Sequence, residues 1–232
     1  MVFIVAEIGV NWDGDFELVS QMMNNAKISG CNAVKFQAYQ EETVKDHPER
    51  IRLMRSTISA SNIDRINDIS KLVGIEWFCT PMYADAVDLL EPYVSRYKIA
   101  ESDGRSLLEN KTSELLNRVL NTDKEIIISS QKSPRNSVYY QNSKIKWLYC
   151  VPKYPADIED FDFVNLRDFN GFSNHCTHLI VPLTAAILGT GILEIHITSD
   201  KSKDFIDNNV SYDYSELKNL VELIRLSEQI KK

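Results

Sequence analysis

The chain has 232 residues, a formal net charge of -7 at pH 7 and a hydrophobic content of 44%. This length is enough for one well-buried core, so we expect a single domain that spans residues 1–232. The acidic balance argues against nucleic acid or an anionic membrane as a partner, because either would require a basic surface.

The ends of the chain and its cysteines indicate where the protein works. No apolar run approaches the ~20 residues that a membrane-spanning helix needs, and residues 1–6 lead into Glu7 without a basic leader. We therefore expect a cytoplasmic protein. The four cysteines are far apart and form no Cys-x-x-Cys pair, which predicts buried free thiols rather than a zinc or redox site.

Short apolar or β-branched runs alternate with helical patterns along the whole chain. The predicted strands cover residues 2–6, 33–36, 75–79, 96–100, 125–129, 145–150, 168–172 and 191–195. Alternation of this kind over eight units favours an α/β fold of the (β/α)₈ type, the TIM barrel. A doubly wound sheet would usually show fewer units and a glycine-rich first turn.

The helical segments each carry one apolar stripe, and one such stripe runs through residues 107–120. The last helix is the most clearly marked, because Asp213 and Glu216 form an N-terminal capping pair ahead of its stripe. Two segments are weakly patterned. Residues 39–61 are expected to hold a loop and a short helix, and residues 198–212 form a long connection that is typical of a lid.

Polar side chains recur where the predicted strands end. The carboxyl ends of barrel strands meet at one mouth, where enzymes of this fold build their active sites. We therefore expect these side chains to face a common centre. They are Glu7, Asn11, Lys35, Gln37, Thr80, Lys98, Ser129, Ser130, Tyr154, Ser173, His175 and His196.

Two lysines, Lys35 and Lys98, are flanked by apolar neighbours. Because an unpartnered buried ammonium is costly, each must face the barrel mouth or be paired. Together with the hydroxyls of Thr80, Ser129 and Ser173 they could hold a phosphate and a carboxylate of one small molecule. The alternative for each lysine is a salt bridge to a barrel carboxylate.

The two histidines at strand ends, His175 and His196, would lie on adjacent strands of a closed barrel. They could bind one divalent metal ion, with water and substrate in the other positions. Neutral imidazole suits manganese, cobalt or zinc better than magnesium, which prefers oxygen donors. The alternative is a pair of hydrogen-bonded core histidines.

Seven segments in order resemble the sialic acid synthase (N-acetylneuraminate synthase) family, whose members condense phosphoenolpyruvate with an amino sugar to make nine-carbon sugar acids. The resemblance covers nearly the whole chain. The segments are AEIGVN at 6–11, AVKFQ at 33–37, TP at 80–81, YKIA at 97–100, YP at 154–155, GFSNHCT at 171–177 and LEIHIT at 193–198.

The resemblance implies a TIM barrel and a role for each site residue. Catalytic roles would belong to Glu7, Lys35, Lys98 and His196. Substrate-binding roles would belong to Asn11, Gln37, Thr80, Ser102, Ser129, Tyr154, Ser173 and Asp207. Of these, Lys35, Thr80, Lys98, Ser129 and Ser173 would surround phosphoenolpyruvate, and Glu7, Gln37, Tyr154 and Asp207 would face the acceptor sugar. His175 and His196 would bind a divalent metal, usually Mn²⁺, with Mg²⁺ or Co²⁺ as alternatives.

The implied reaction joins the methylene carbon of phosphoenolpyruvate to the aldehyde of an open-chain N-acetylated amino sugar similar to N-acetylmannosamine. The products would be a nonulosonic (sialic-type) acid and phosphate. In the family the metal polarises the aldehyde and orients the water that captures the cationic intermediate. The family also implies a homodimer.

Four positions depart from the family pattern. Trp12 stands where the family has histidine, Asn174 where it has aspartate before the metal histidine, and Ile195 where a basic residue is usual. Glu101 or Ser102 stands where the family has the serine of a serine-glycine-acid turn. The sequence also stops after its last helix, so we expect the small C-terminal antifreeze-like domain, which in relatives offers an arginine across a dimer, to be missing.

Two alternatives to a working synthase stay open at this point. One is a catalytically impaired synthase-like barrel that acts as a binding or regulatory protein, because its charge pattern has changed at Glu101, Asn174 and Trp12. The other is an unrelated barrel aldolase or isomerase in which Lys98 forms a Schiff base. Such a lysine requires a lowered pKa in a desolvated site.

Overall fold

The computed structural model describes residues 1–230, and its centre is a closed barrel of eight parallel strands in sequence order. The strands are β1 (Phe3–Gly9), β2 (Ala33–Ala38), β3 (Glu76–Pro81), β4 (Arg96–Ile99), β5 (Glu125–Ser130), β6 (Ile145–Cys150), β7 (Gly171–Asn174) and β8 (Ile192–His196). β8 pairs with β1 in parallel and closes the ring. The predicted single-domain TIM barrel is confirmed.

Helices surround the barrel wall. They are α1 (Phe16–Ile28), α2 (Glu41–Val44), α3 (Arg50–Arg55), α4 (Ile63–Val73), α5 (Asp85–Leu90), α6 (Glu101–Leu108), α7 (Glu114–Leu120), α8 (Ile180–Ile187) and α9 (Tyr214–Gln229). β6 and β7 are joined through two 3₁₀ turns, Ile158–Asp160 and Leu166–Asp168. Residues 39–61 hold two short helices, α2 and α3, where one was predicted.

The apolar stripe over residues 107–120 belongs to two helices rather than one. The chain turns between α6 and α7 at Asn110, whose φ of 57° lies in the left-handed region. Ser113 then caps α7 by accepting a hydrogen bond from the backbone N–H of Leu116. The stripe alone could not reveal this break, because apolar residues continue on both sides of it.

The first strand runs further than the sequence predicts, and this places a carboxylate at the mouth. β1 continues past Ala6, so Glu7 lies within the strand. There it is in register with Lys35 of β2 and His196 of β8. The pairing with β2 shifts before Gly9, where φ is 55° and a Cβ would lie 3.2 Å from Asp207 Oδ2. The end of β1 therefore leaves its regular pairing with β2 at Gly9, close to Asp207.

The seventh strand begins later than the predicted run of residues 168–172. Asp168 lies in a 3₁₀ turn, where its carboxylate accepts a hydrogen bond of 2.6 Å from Ser133 Oγ. β7 starts at Gly171, where a Cβ would lie 2.3 Å from the backbone oxygen of Ile192. Glycine thus lets β7 and β8 approach closely, and the strand continues to Asn174.

The final helix matches its prediction. Asp213 accepts hydrogen bonds from the backbone of Ser215 and Glu216, and Glu216 Oε2 accepts one from the Asp213 N–H. This is the capping box that the sequence indicated. The apolar face of α9 is buried, and the helix packs against α8 and α1. It therefore covers the closing strands of the barrel.

The amino end of the barrel is held by charge pairs away from the mouth. Arg96 at the start of β4 contacts Glu76 of β3 at 2.8 Å and Glu125 of β5 at 2.6 Å. Its guanidinium carbon also lies 4.7 Å from the centroid of the Phe3 ring. In barrels of this fold the amino end serves stability and the opposite end serves function.

The cysteines agree with their prediction. All four cysteines are free and buried. None of the helices in residues 1–230 combines the length and apolar character that a bilayer crossing requires.

Candidate active site

A cavity of about 300 Å³ opens at the carboxyl ends of the strands. Each of the eight strands contributes to its lining. Eleven of the predicted site residues lie there: Glu7, Lys35, Gln37, Thr80, Lys98, Ser102, Ser129, Tyr154, Ser173, His175 and His196. Small-molecule sites commonly have this size and concave form. The convergence that the strand-end pattern predicted is therefore present.

The two lysines are buried, and each has polar partners and lines the cavity. Lys35 Nζ donates to Glu7 Oε1 at 2.8 Å and to Thr80 Oγ1 at 3.0 Å. Lys98 Nζ donates to Ser129 Oγ at 2.7 Å and to the backbone oxygen of Ile99 at 3.1 Å. The two interpretations left open by the sequence thus apply together, since each lysine has polar partners and also lines the cavity.

Glu194 links the two lysines, and the sequence reasoning missed it as a site residue. One carboxylate oxygen lies 3.8 Å from Lys35 Nζ and the other lies 3.8 Å from Lys98 Nζ. Ser173 Oγ donates a hydrogen bond of 2.8 Å to the same carboxylate. The signal was available, because alternate residues of a strand face the same side and Glu194 is two residues before His196.

Burial and charge act in opposite directions on these groups. Burial alone would raise the pKa of Glu194, but the charges of Lys35, Lys98 and His196 outweigh it and lower that pKa to about 2. Burial is the largest influence on Glu7 and raises its pKa, although the charge of Lys35 opposes this. Glu194 is therefore the firmly ionised carboxylate of the pair.

The two lysines differ in the same way. Burial lowers the pKa of Lys98, and the charge of Glu194 does not fully offset it. Burial also acts to lower the pKa of Lys35, but the charges of Glu194 and Glu7 raise it above its ordinary value. Lys35 is thus the more firmly charged cation of the cavity.

The histidines lie side by side at the mouth, with ring centroids 5.4 Å apart. His175 Nδ1 is 2.9 Å from the backbone oxygen of Val151, so this nitrogen carries the proton and donates. Nε2 is then the acceptor, and Tyr154 Oη donates to it at 2.7 Å. Burial lowers the pKa of His175 to about 3, which keeps the imidazole neutral.

The second histidine is oriented by a carboxylate. His196 Nδ1 lies 3.6 Å from Asp207 Oδ2, close enough for charge attraction but long for a hydrogen bond. Burial acts to lower the pKa of His196, whereas the carboxylates of Asp207, Glu7 and Glu194 raise it above its ordinary value. With Nδ1 directed at Asp207, Nε2 is the nitrogen left for another partner.

A second cavity of about 290 Å³ adjoins the first. Gln37, Met82, Tyr154 and His196 line both cavities, and Asp207 lines the second. The segment containing α2 and α3 covers it with apolar side chains from Val44 and Leu53 among others. Eleven predicted site residues thus line the main cavity, and Asp207 lines the adjoining one.

Asn11 was predicted to contact substrate, and the structure places it elsewhere. Its side chain is fully buried and lies outside the lining of both cavities. Asn11 Nδ2 donates to the oxygen of Ile197 and to Ser211 Oγ, each at 2.9 Å, and Oδ1 accepts from the Asp207 N–H at 3.0 Å. Asn11 therefore positions the loop that carries Asp207.

Three of the four departures from the family pattern lie away from the cavity. Trp12 is buried against Phe36 and donates from Nε1 to the backbone oxygen of Ser56 at 2.9 Å. Asn174 is fully buried and bonds the backbone of the turn after β7, and Ile195 is fully buried in the core. The fourth departure, at Glu101 or Ser102, lies at the main cavity, because both of these side chains belong to its lining.

A closed α/β barrel with a buried polar cavity at its carboxyl mouth defines a barrel enzyme. A family model described as the NeuB family matches residues 22–232. The chain therefore belongs to the NeuB family. With the synthases among its relatives, this membership makes it a sugar acid synthase of the kind that uses phosphoenolpyruvate.

Individual proteins agree with this assignment. An N,N'-diacetyllegionaminic acid synthase of Legionella pneumophila is 29% identical over 266 residues, which cover 98% of this chain and 72% of that protein. An uncharacterised protein of Methanocaldococcus jannaschii is 29% identical over 246 residues, 98% of this chain and 71% of its own length. The crystal structure of an N-acetylneuraminic acid synthetase from Leptospira borgpetersenii, in complex with citrate, has a TM-score of 0.85 and 26% identity, and covers 99% of this chain and 84% of that one.

Proposed function

We propose that this protein condenses phosphoenolpyruvate with the open-chain aldehyde of an N-acetylated amino sugar, consuming one water, and that it releases phosphate and a nonulosonic acid. One observation carries the proposal: two buried lysines, five hydroxyl side chains and two imidazoles line a single cavity at the barrel mouth. The lysines and hydroxyls suit an anionic donor, and the imidazoles suit a metal ion that would bind a carbonyl acceptor. The family assignment and the synthases among the relatives support the same reaction.

The donor end of the cavity would be the Lys35 and Lys98 side. Thr80 and Ser129 already lie within hydrogen-bond distance of these ammonium groups, at 3.0 Å and 2.7 Å. Each lysine has three N–H donors and uses two of them in the hydrogen bonds of the structure, so one remains for a donor oxygen. Charge-assisted bonds of this kind are stronger than neutral ones and would fix the carboxylate and phosphate of the donor.

A divalent metal ion, with manganese expected, fits the two histidines. The Nδ1 atoms of His175 and His196 face Val151 and Asp207, so both Nε2 atoms are left as ligand atoms. No group of three His, Cys, Asp or Glu side chains within residues 1–230 is arranged as a complete metal site, so water and substrate would supply the other positions. Such an ion supplies Lewis acidity at a carbonyl oxygen. Tyr154 would have to release His175 Nε2.

The acceptor would lie across the join of the two cavities. Gln37 donates from Nε2 to Glu7 Oε1 at 2.8 Å and also receives a hydrogen bond from the Tyr39 hydroxyl, so its amide is fixed at that join. Asp207 and Tyr154 would bind acceptor hydroxyls. Glu7, whose pKa is raised mainly by burial, would exchange a proton with the acceptor oxygen.

The assembly and location of the protein are also proposals. The family supports a homodimer and a place in the cytoplasm, where phosphoenolpyruvate-using biosynthesis would proceed. Light scattering would test the first point, since a homodimer has twice the chain mass of 26.6 kDa. A mass of one chain at micromolar concentration would contradict the proposed homodimer.

Phosphate release is the direct test of the reaction. The protein would be incubated with phosphoenolpyruvate, Mn²⁺ and a panel of N-acetylated hexosamines, and released phosphate would be measured beside a donor-binding titration. Release that requires both the sugar and the metal supports the proposal. Donor binding without release for every sugar would favour the catalytically impaired barrel instead.

Two variants would test the metal assignment. His196→Ala should lose Mn²⁺ binding by calorimetry and lose phosphate release, while its circular dichroism spectrum stays that of the parent. His178→Ala is the matched control, because His178 is exposed and lies outside both cavities. Unchanged Mn²⁺ affinity in His196→Ala would refute the ligand role.

Imine formation at Lys98 is the competing chemistry at the same cavity. The lowered pKa of Lys98, caused by burial, is what a Schiff-base lysine would need. Borohydride treatment in the presence of a carbonyl substrate, followed by mass spectrometry, separates the two mechanisms. A covalent adduct at Lys98 would contradict the metal-dependent condensation.

A further inference from the structure

Glu101 and Arg105 form a charge pair at the rim of the main cavity. They lie one turn apart on α6, and both line the cavity. Arg105 Nη2 is 3.8 Å from Glu101 Oε2. The Glu101 side chain is 9% exposed, whereas that of Arg105 is 49% exposed. Both residues thus line the cavity, with the Glu101 side chain largely buried and the Arg105 side chain half-exposed.

The position of this pair is fixed by the packing of α6. A Cβ at Gly104 would lie 2.1 Å from the backbone oxygen of Ser129 and 2.8 Å from Ile128 Cγ2. The glycine thus allows α6 to lie directly on the end of β5. Because α6 has no room to move inward, the backbone of Glu101 stays at the mouth. Only the side chains of Glu101 and Arg105 can then change position when a ligand binds.

Arg105 differs from the other cations of the cavity. The ammonium groups of Lys35 and Lys98 are buried, hydrogen bonded and close to Glu194. Arg105 is half-exposed and holds its carboxylate at 3.8 Å, beyond hydrogen-bond distance. Of the lysines and arginines lining the cavity within residues 1–230, it can change partner at the smallest cost in desolvation.

The charge of the lining explains why such a change matters. Three carboxylates, Glu7, Glu101 and Glu194, face three cations, Lys35, Lys98 and Arg105. A phosphate monoester brings about -1.5 to -2 charges at pH 7, and phosphoenolpyruvate adds a carboxylate. The bound donor would therefore be repelled by Glu101 unless Arg105 turns from the Glu101 carboxylate to the donor phosphate.

We propose that Arg105 binds the phosphate of the donor by exchanging it for Glu101, and that Glu101 is a built-in competing anion that sets donor affinity. The inference rests on the proposed function, since it concerns the donor of that reaction. In the free protein Glu101 holds the guanidinium at the rim. When the donor enters, the planar guanidinium rotates to the phosphate, with which it can form two parallel hydrogen bonds.

Opposite changes in donor affinity are the expected signature. Arg105→Gln should weaken phosphoenolpyruvate binding about tenfold, because a charge-assisted contact is lost. Glu101→Gln should tighten it about fivefold, because a like charge and a competitor for Arg105 are both removed. Affinities would be measured by calorimetry on the full chain at two salt concentrations. The gain from Glu101→Gln should be smaller in the Arg105→Gln background.

Ligands of different charge separate this role from a structural one. Inorganic phosphate should follow phosphoenolpyruvate in both variants, while pyruvate, which lacks the phosphate, should bind all proteins within about twofold of one another. A merely structural effect on α6 would change the three ligands alike. Thermal melts would show that both variants keep the parent fold.

Arg50→Gln and Glu41→Gln are the matched controls. Arg50 is 53% exposed and lies 3.9 Å from Glu41, much as Arg105 lies from Glu101, and neither control residue lines the main cavity. Their donor affinities should equal that of the parent. Weaker binding in Glu101→Gln, or unchanged binding in Arg105→Gln, would overturn the proposal while leaving the reaction intact. Failure of the parent to bind phosphoenolpyruvate would overturn both.

Discussion

Replacing Glu194 by glutamine should destabilise the barrel strongly at neutral pH. The change removes a charge while it keeps the shape of the side chain and its capacity to accept from Ser173 Oγ. It leaves Lys35 and Lys98, each 3.8 Å from the carboxylate, without their shared counter-charge. Glu194 is only 4% exposed, so bulk water screens this charge cluster weakly.

The size of the loss follows from the lowered pKa. A fall from 4.5 to about 2 corresponds to about 3 kcal/mol, since each tenfold change in proton affinity is worth about 1.4 kcal/mol. Removing one partner of a buried ion pair typically costs about 3 to 5 kcal/mol, which agrees. Because the folded pKa lies below the unfolded one, this stability is present above about pH 4.5 and is lost as pH falls towards 2.

Urea denaturation of the parent and Glu194→Gln between pH 7 and pH 3 would measure this. The difference in the free energy of unfolding should be about 3 kcal/mol at pH 7 and should shrink below about pH 4.5. Glu125→Gln is the control at the amino end of the barrel, where the partly exposed pair with Arg96 at 2.6 Å should be worth about 1 kcal/mol or less. Equal losses in the two variants, or a difference that ignores pH, would refute the reasoning.

Three further variants test other parts of the structure. Gly104→Ala should cost about 3 kcal/mol of unfolding free energy, because a Cβ would lie 2.1 Å from the backbone of β5. Gly189→Ala is the control, since a Cβ there would have nothing within 4 Å and should cost only backbone strain. Similar urea midpoints for the two variants would contradict this reasoning. Asn11→Ala should raise the acceptor KM about tenfold through the loosened Asp207 loop and leave the donor KM within about twofold; a parallel rise in both constants would argue against a positioning role. Lys98→Ala should weaken phosphoenolpyruvate binding more than about tenfold by calorimetry, and equal affinity in variant and parent would remove Lys98 from the donor site.

The fold was accessible from the sequence because each strand is a short buried run. Such runs repeat eight times, and a barrel is the arrangement that buries all of them. Boundaries were less accessible. Whether β1 stops at Ala6 or continues to Gly9 depends on pairing with β2 and β8, which local composition does not encode.

Much of the site could also be predicted from the sequence, because a polar side chain within an apolar run must face a cavity or a buried polar partner. This reasoning placed Lys35, Lys98 and His196 at the mouth. It missed Glu194, whose role depends on contacts with Lys35 and Lys98 from two other strands. The family resemblance implies a substrate-binding role for Asn11, whereas its amide is hydrogen bonded to Ile197 and to the Asp207 N–H of the following loop.

Glu101 could be recognised as unusual but not interpreted. Its orientation depends on where α6 begins and on how closely Gly104 lets that helix approach β5. The partner of Glu101 is four residues further along, and this spacing has meaning only once the helix is known. The sequence therefore indicated only that the charge pattern departs from the family at Glu101, and the fold supplied the counter-charge, Arg105.

The pairing of β1 with β8 forms a seam between the first and last strands of the barrel, and this seam lies at the cavity. Glu7 and His196, adjacent across this seam, are 189 positions apart in the sequence. Contacts of such long range form late in folding, so an emerging polypeptide would have no pocket until nearly all of it had been made. A ligand bridging the seam would in turn protect these two strands from local opening.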